Sequence, residues 1–466
     1  MVAPSFSNSL PVGARHASPP QPLTSNGATG EAITTVERLL GAVSPDIARI
    51  LERALEDREV TVEEGVRLLE AKGLDMMALF LTADALRRRT VGDVATYVVN
   101  RNINFTNVCI KRCTFCAFSR DHREEEGYLL PLEEIIRRAK EAWDLGATEV
   151  CIQAGLPPKM KGSFYIDLTR AIKKELPDIH IHGFSPEEVL YGTIRSRCTV
   201  EEYLQGLREA GVGSLPGTSA EILDQEMRDR ISPGRITVDQ WVQVITTAHR
   251  LGIPTTSTIM FGHVETPWHQ ARHIARIRDI QKQTGGFTEF VPLSFVYWEA
   301  PMYREGLLEG VRRGATGDEV VKMHAVARLM LHGYINNIQV SWVKEGPKLA
   351  QLCLEAGAND LGGTLINESI STSAGAQYGQ LVPPRELRRL IRDAGRVPAE
   401  RTTTYRLRRV FEAGDDPIEP LDLVGDHPEE RFGSYQRLVK MEDYRFRDAF
   451  ERQRATPAGD SARSKE

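Results

Sequence analysis

From about Tyr97 onward the chain alternates short β-type runs with amphipathic helical stretches, and this alternation limits its possible folds more than any other feature. Eight runs read as strands: residues 97–105, 149–153, 179–184, 212–215, 254–260, 290–296, 338–342 and 360–365. Helical stretches lie between them. Over residues 238–251, Val238, Trp241, Val242, Ile245 and Ala248 fall on one face, and Tyr165, Leu168, Ile172 and Leu176 repeat the pattern. Gly146, Gly211, Gly252 and Gly357 each follow a helical stretch and precede a strand, where a left-handed residue can end the helix. Strands returning through helices run parallel. Eight such units can close into a TIM-type (β/α)8 barrel, and an open doubly wound sheet fits the same pattern.

The flanks differ from this region. Residues 36–95 read as a helical N-terminal extension, with a capping box at Thr61-Val62-Glu63-Glu64. The barrel is expected over residues 96–397. Beyond Val397 the chain becomes charged and irregular, giving a C-terminal extension at 398–455 with one further helix over 432–450. Residues 1–35 are rich in Ser, Pro, Gly and Asn; they and residues 456–466 are expected to be disordered tails. The start has neither the basic opening nor the apolar centre of a secretory signal, and no apolar run is long enough to cross a bilayer. A net charge of −5 gives no bulk attraction to nucleic acid or anionic membrane. Arg87, Arg88 and Arg89 read as a solvated helix face.

Six cysteines in 466 residues do not make a disulfide scaffold, and a reducing cytoplasm suits them. Three crowd together in Asn107-Val108-Cys109-Ile110-Lys111-Arg112-Cys113-Thr114-Phe115-Cys116, directly after the first strand, at the end of a barrel where catalytic loops gather. Thiolates suit iron–sulfur clusters, and three of them leave one iron of a [4Fe–4S] cube open to another ligand. Structural zinc with His122 as fourth ligand, or three unrelated buried cysteines, are the plainer alternatives. Cys151 reads as a small buried hydrophobe.

A C-x3-C-x-aromatic-C run after the first strand resembles the radical S-adenosylmethionine superfamily. Asn102-Ile103-Asn104-Phe105-Thr106-Asn107 is similar to the branch holding the Fo synthase subunits and the menaquinone enzymes of the futalosine route. Five further runs are most similar to the tyrosine-dependent hydroxyphenyl transferases that serve as the second Fo synthase subunit. They are Ile152-Gln153-Ala154-Gly155-Leu156-Pro157-Pro158, Phe184-Ser185-Pro186-Glu187-Glu188, Gly217-Thr218-Ser219-Ala220-Glu221, Gly262-His263-Val264-Glu265-Thr266 and Gly363-Thr364-Leu365-Ile366-Asn367-Glu368.

The resemblance implies site residues. Cys109, Cys113 and Cys116 would hold the [4Fe–4S] cluster, with S-adenosyl-L-methionine on the open iron. Gln153, Ala154, Gly155, Ser185, Gly262 and Glu265 would contact the cofactor. The superfamily often has Gly-Gly-Glu where this chain has Gln153-Ala154-Gly155, so an acid is missing there. His263 and Glu265 are candidates for proton transfer, although a lone histidine is often structural. Asn104, Thr106, Glu187, Thr364, Asn367 and Glu368 are candidate substrate contacts. Ser185-Pro186-Glu187-Glu188 is also a good helix start.

The implied substrates are L-tyrosine and 5-amino-6-(D-ribitylamino)uracil. A deoxyadenosyl radical would take hydrogen from the tyrosine amine, Cα–Cβ cleavage would release a 4-hydroxybenzyl radical, and this would add to C5 of the uracil. The products would include 2-iminoacetate, methionine and 5′-deoxyadenosine. A flavodoxin or ferredoxin would supply the electron, and the ring-closing Fo synthase subunit 1 would act next. An aminofutalosine synthase, a futalosine-route cyclase, or a non-catalytic iron–sulfur protein are the alternatives.

Overall fold

The computed structural model describes residues 41–425 and 427–447. The tails expected at 1–35 and 456–466, and the end of the helix expected over 432–450, lie outside the described residues. Among those described, no helix is long and apolar enough to cross a membrane.

Among the described residues three helices precede the first strand: Pro45–Leu55, Val62–Leu69 and Gly73–Val91. Thr61 caps the second as its sequence suggests. Its hydroxyl accepts from the Glu64 N–H, and Glu64 accepts from the Thr61 N–H. The arginine run at 87–89 departs from its reading as a solvated face. Arg88 and Arg89 are exposed, but Arg87 is buried, with Nε on Asp84 Oδ1 at 2.7 Å and Nη1 on the Gly92 carbonyl. Its donors are satisfied, so burial is tolerated.

Nine strands follow: β1 (Val94–Val98), β2 (Asn100–Ile103), β3 (Glu149–Ile152), β4 (His180–His182), β5 (Thr255–Phe261), β6 (Phe287–Ser294), β7 (Asp360–Gly363), β8 (Val397–Arg401) and β9 (Leu407–Val410). They form three sheets, ordered β7-β1-β8-β9, β2-β3-β4 and β5-β6. Every pairing is parallel except β8 with β9. The class is therefore α/β, with helices such as Phe164–Glu175 and Val238–Arg250 between the strands. The four punctuating glycines all take positive φ, from 74° at Gly252 to 105° at Gly211.

The first expected strand divides near Val99. β1 lies between β7 and β8, while β2 pairs with β3. The strands expected at 212–215 and 338–342 shrink to single parallel bridges. Ser214 bridges His182 and Leu215 bridges Thr255; Ile338 bridges Phe290 and Gln339 bridges Asp360. Pro216 has no N–H to extend the first of these ladders. In the second, Trp342 begins the helix Trp342–Glu345 and donates its indole N–H to the Gly363 carbonyl at 2.8 Å, so the chain turns inward instead of extending. A further parallel bridge joins Arg101 to Ile366.

The segment beyond Val397 is less irregular than its composition implies. β8 runs beside β1, Val94 opposite Val397 and Tyr97 opposite Glu400. Its charge is spent inward: Arg401 Nη2 donates to the buried Asp360 at 2.9 Å. Ile103, Val150, Ile152, Ile181 and Leu215 are fully buried in one apolar cluster, which holds the strand ends in place.

Candidate active site

A cavity of about 390 Å3 opens where the parallel strands end. Its lining comes from β5 and β6 and from the segments just past β2, β3, β4, the bridge at 214–215 and β7, and it includes Glu149, Glu289 and Arg401. This size suits a small-molecule site.

Past β2 the chain forms the cysteine loop. Asn104, Thr106 and Asn107 set its path. Asn104 Nδ2 donates to the Gln153 carbonyl at 2.7 Å. Thr106 Oγ1 donates to the Tyr128 carbonyl at 2.5 Å and accepts the Val108 N–H at 3.1 Å. Asn107 accepts the Tyr128 N–H at 2.9 Å. Ile110 N–H bonds the Leu156 carbonyl at 2.8 Å, stitching the loop to the end of β3. Asn104 Nδ2 and the Thr106 hydroxyl, read as substrate contacts, thus bond backbone carbonyls, and neither residue lines the cavity.

Cys109, Cys113 and Cys116 all line that cavity. All six cysteines are free thiols. The Lys111 N–H approaches Cys109 Sγ at 3.4 Å, a contact that suits a thiolate. Burial raises the Cys109 thiol and pushes Cys113 up to about 12, with Arg235 acting in the opposite direction. Ionising these thiols therefore calls for a strongly cationic ligand, and the donor set is soft; both fit iron–sulfur binding. Among the described residues no three His, Cys, Asp or Glu side chains are arranged to hold a single metal ion. His122 is exposed, sits 3.2 Å from Asp121 and does not line the cavity with the three cysteines. Cys151 faces the same cavity from β3 rather than packing as a plain hydrophobe, and Gln153 Nε2 reaches its sulfur at 3.4 Å.

The next wall is built on a helix start. Ser185 caps the helix Pro186–Ser196 in a full capping box with Glu188. Glu188 also accepts the Ala154 N–H at 3.1 Å, so its carboxyl stands directly behind the Gln153-Ala154-Gly155 run. Burial raises Glu188 to about 7. Gln153 Oε1 accepts from Thr218 Oγ1 at 2.7 Å. Gly155 has no room for a side chain: a Cβ would stand 2.3 Å from the Val108 carbonyl oxygen. Its role is close contact with the cysteine loop.

Charges gather beside the cysteines. Glu187 accepts from Arg235 Nε at 3.2 Å and from the Ile236 N–H at 2.8 Å, and lies 3.3 Å from Lys111 Nζ. Arg235 also donates to Glu221 at 2.8 Å and Ser219 at 2.7 Å, and its guanidinium stands 5.8 Å from the Phe115 ring centre.

The remaining sequence candidates separate. Glu368 lines the cavity. Gly262, His263, Glu265, Thr364 and Asn367 do not. Glu265 accepts the N–H groups of Gly262 at 2.6 Å and His263 at 2.8 Å, and the Gln270 amide at 2.7 Å. A Cβ on Gly262 would meet Ala315 N at 2.4 Å, so that glycine admits the chain near residue 315 rather than a ligand. His263 is fully buried, its Nε2 3.1 Å from the Met260 carbonyl. Thr364 Oγ1 donates to the Asn100 carbonyl at 2.9 Å. Asn367 accepts from Arg101 and donates to the Phe432 carbonyl at 3.0 Å, tying in the C-terminal segment. Glu265, Thr364 and Asn367 each hold backbone groups in place.

The cavity also uses Glu221 and, beyond any motif, Arg235, Glu289, Lys344 and Arg401. Burial raises Glu289 to about 7, and Tyr405 donates to it. Glu221 ended a quoted run and so carried a faint signal. Arg235 arises on a loop, Glu289 on β6, Lys344 on the short helix Trp342–Glu345 and Arg401 on β8, and only the fold brings them together.

A thiol triad on the mouth cavity of a parallel α/β fold is the arrangement of one enzyme class, and comparison with known proteins agrees. Residues 103–277 match the family model described as the radical SAM superfamily, and residues 284–414 match the CofH/MqnC C-terminal region. The maturase HydG of Carboxydothermus hydrogenoformans shares the fold, with a TM-score of 0.60 at 19% identity over 82% of this chain and 87% of that one. The 5-amino-6-(D-ribitylamino)uracil–L-tyrosine 4-hydroxyphenyl transferase of Methanothermobacter thermautotrophicus is 51% identical over 358 residues, 77% of this chain and 96% of the relative. The FO synthase of Mycobacterium leprae is 46% identical over 367 residues, 78% of this chain and 42% of that longer protein. The chain belongs to the radical SAM superfamily and, within it, to the family of these 4-hydroxyphenyl transferases.

Proposed function

We propose that the chain is a radical SAM transferase that joins the 4-hydroxybenzyl group of L-tyrosine to C5 of 5-amino-6-(D-ribitylamino)uracil, a step in deazaflavin (Fo) biosynthesis. The observation that carries this reading is the 51% identity to a transferase of that name along 96% of its length. The 42% coverage of an FO synthase supports a place in a two-part synthesis.

In this reading Cys109, Cys113 and Cys116 hold a [4Fe–4S] cluster from one wall of the cavity. When bound, the cluster and S-adenosyl-L-methionine supply one-electron bond cleavage and a hydrogen-abstracting carbon radical. The chain's own residues bind, orient and enclose. Gln153, Ala154 and Ser185, with Glu188 behind them, line the same cavity as the cysteines and are the proposed cofactor contacts. Glu188 is the acid that the Gln153-Ala154-Gly155 run lacks in its own sequence. Glu187 is held by Arg235 beside the mouth. The polar floor of Asn100, Asn102, Glu149 and Gln339 offers donors and acceptors for a ribityl chain and a pyrimidine edge.

The fold proposed for this chemistry is a closed eight-stranded barrel. Parallel pairings that lead from each strand to the next, and the Arg101–Ile366 bridge that links the last to the first, support closure. A closed wall helps exclude water from a reactive radical. The six free thiols fit a reducing cytoplasm, where a flavodoxin or ferredoxin is the class of electron donor required.

The test is direct. Oxygen-free, reconstituted and reduced protein is incubated with S-adenosyl-L-methionine, L-tyrosine and the ribitylaminouracil, and products are read by mass spectrometry. The coupled hydroxybenzyl product should appear with 5′-deoxyadenosine. Coupling of futalosine-route substrates instead would replace this reading with the sister activity.

A further inference from the structure

Two histidines of β4 share one serine. His182 Nδ1 lies 2.7 Å from Ser214 Oγ, and His180 Nε2 lies 2.7 Å from the same oxygen. Ser214 is 2% exposed and His182 8%, whereas His180 is partly exposed. A hydroxyl can accept from one ring while it donates to the other, so the three groups form a path along which a proton can hop. His182 lines the main cavity and His180 does not, so the path leads out of the cavity. In the pairing of β3 with β4, Glu149 stands opposite His180 and Cys151 opposite His182. That register sets His182 beside the polar floor assigned above to the pyrimidine.

The second ring nitrogen of His182, Nε2, makes no hydrogen bond among the described residues. Neighbouring titratable groups of the cavity are occupied. Glu149 accepts from Asn100 Nδ2 at 2.8 Å, Glu289 accepts from Tyr405, and burial pushes the Cys151 thiol up to about 12. Burial also pulls His182 down to about 4 and lowers His180, so both rings are neutral near pH 7 and free to accept a proton. Glu149 on β3 favours protonation of both rings. Arg401 on β8 opposes it at His182, and Lys173 opposes it at His180.

We propose that His182 takes up the proton that the coupled adduct must lose, and that Ser214 and His180 pass it out of the cavity. The assignment rests on the transferase reading above. Addition of the benzyl carbon leaves C5 of the uracil with four bonds to heavier atoms and no hydrogen, and puts an unpaired electron on C6. That electron leaves to a one-electron acceptor of the iron–sulfur class. The lone pair of the ribityl-bearing nitrogen then forms a C6=N bond, and the N–H bond breaks with its electrons remaining on nitrogen. The proton released comes from a cation, so a weak base such as a buried imidazole suffices, and the Glu149 carboxylate steadies the imidazolium that results.

Product ratios test this role. Oxygen-free, reconstituted and reduced protein turns over S-adenosyl-L-methionine, L-tyrosine and the ribitylaminouracil, and coupled product is counted against 5′-deoxyadenosine. In His182→Gln the ratio should fall by about a hundredfold, within the range that a positioned base contributes. Added imidazole should restore part of the coupling in His182→Ala. Ser214→Ala keeps both rings but cuts the path, and its ratio should fall by a smaller factor. Iron content and melting temperature report the folding of each variant, and Ser214→Ala decides the matter should the His182 variants fold poorly. A merely structural histidine would lower both products together. A wild-type ratio in His182→Gln, or in Ser214→Ala, while wild type forms the coupled product, would overturn the relay and leave the function standing. Absence of any coupled product from wild type would remove the function and this assignment together.

Discussion

At the scale of single residues, the cysteines were legible because their meaning lies in spacing along the chain. Cys109, Cys113 and Cys116 fall on one cavity wall because a short loop cannot carry them far apart. Cys113→Ala leaves two thiols for the cluster. Iron and sulfide analysis after oxygen-free reconstitution should show it lost or severely depleted, with no 5′-deoxyadenosine formed; wild-type cleavage by this variant would discard the triad. Glu188 was visible only as half of a capping motif, and its raised pKa comes from burial that the motif does not encode. The folded chain keeps this proton up to about pH 7, whereas the unfolded chain releases it near 4.5. Stability from this group therefore falls as pH rises between those values, by about 3 kcal/mol in all. Glu188→Gln does not titrate. Denaturation of both proteins at about pH 4.5 and about pH 8 should show a gap between them that shifts by that amount in favour of the variant at the higher pH. A constant gap would mean the carboxyl ionises normally.

Elements were legible wherever a period was long enough to read. Helices such as Val238–Arg250 and strands such as Glu149–Ile152 lie within a residue or two of their expected bounds. The losses were at 212–215 and 338–342, where a proline and an inward-turning tryptophan cut the ladders to single bridges. β8 was missed because its charges Glu400 and Arg401 are buried and paired, while β9 keeps Arg408 and Arg409 exposed, so the pair resembled a solvated tail in composition. Gly155 shows how one position joins elements. Its Cβ would collide with the Val108 carbonyl, the backbone just before Cys109. Gly155→Ala should push the end of β3 away from the cysteine loop, costing about 1–3 kcal/mol as overpacking does. Both thermal denaturation and cluster loading should fall; a variant with unchanged loading would show that the loop does not depend on this contact.

At the scale of the whole molecule, the C-terminal segment braces the cysteine loop. The Tyr435 ring lies 5.5 Å from Phe118, two residues past Cys116, and Asn107 Nδ2 reaches its hydroxyl at 3.5 Å. The Leu129 N–H bonds the Tyr444 carbonyl at 2.8 Å. Tyr435→Ala removes a buried ring and should cost about 3 kcal/mol. The cluster of the variant should bleach faster under chelator than that of wild type. Equal rates of iron loss would mean the brace is structural bystander packing.

Local patterns in the chain were enough to specify its alternating α/β architecture, its helix caps and the thiol triad, because propensity, periodicity and ligand spacing all act over a few neighbouring residues. The company the triad keeps was settled only by tertiary structure. Arg235, Glu289, Lys344 and Arg401 come from distant segments and share one cavity, while His263, Glu265 and Asn367, which looked chemical in sequence, lie outside its lining and bond backbone groups. A side chain's chemistry depends on which of its donors and acceptors the fold has already satisfied, and that count exists only once the chain has closed on itself.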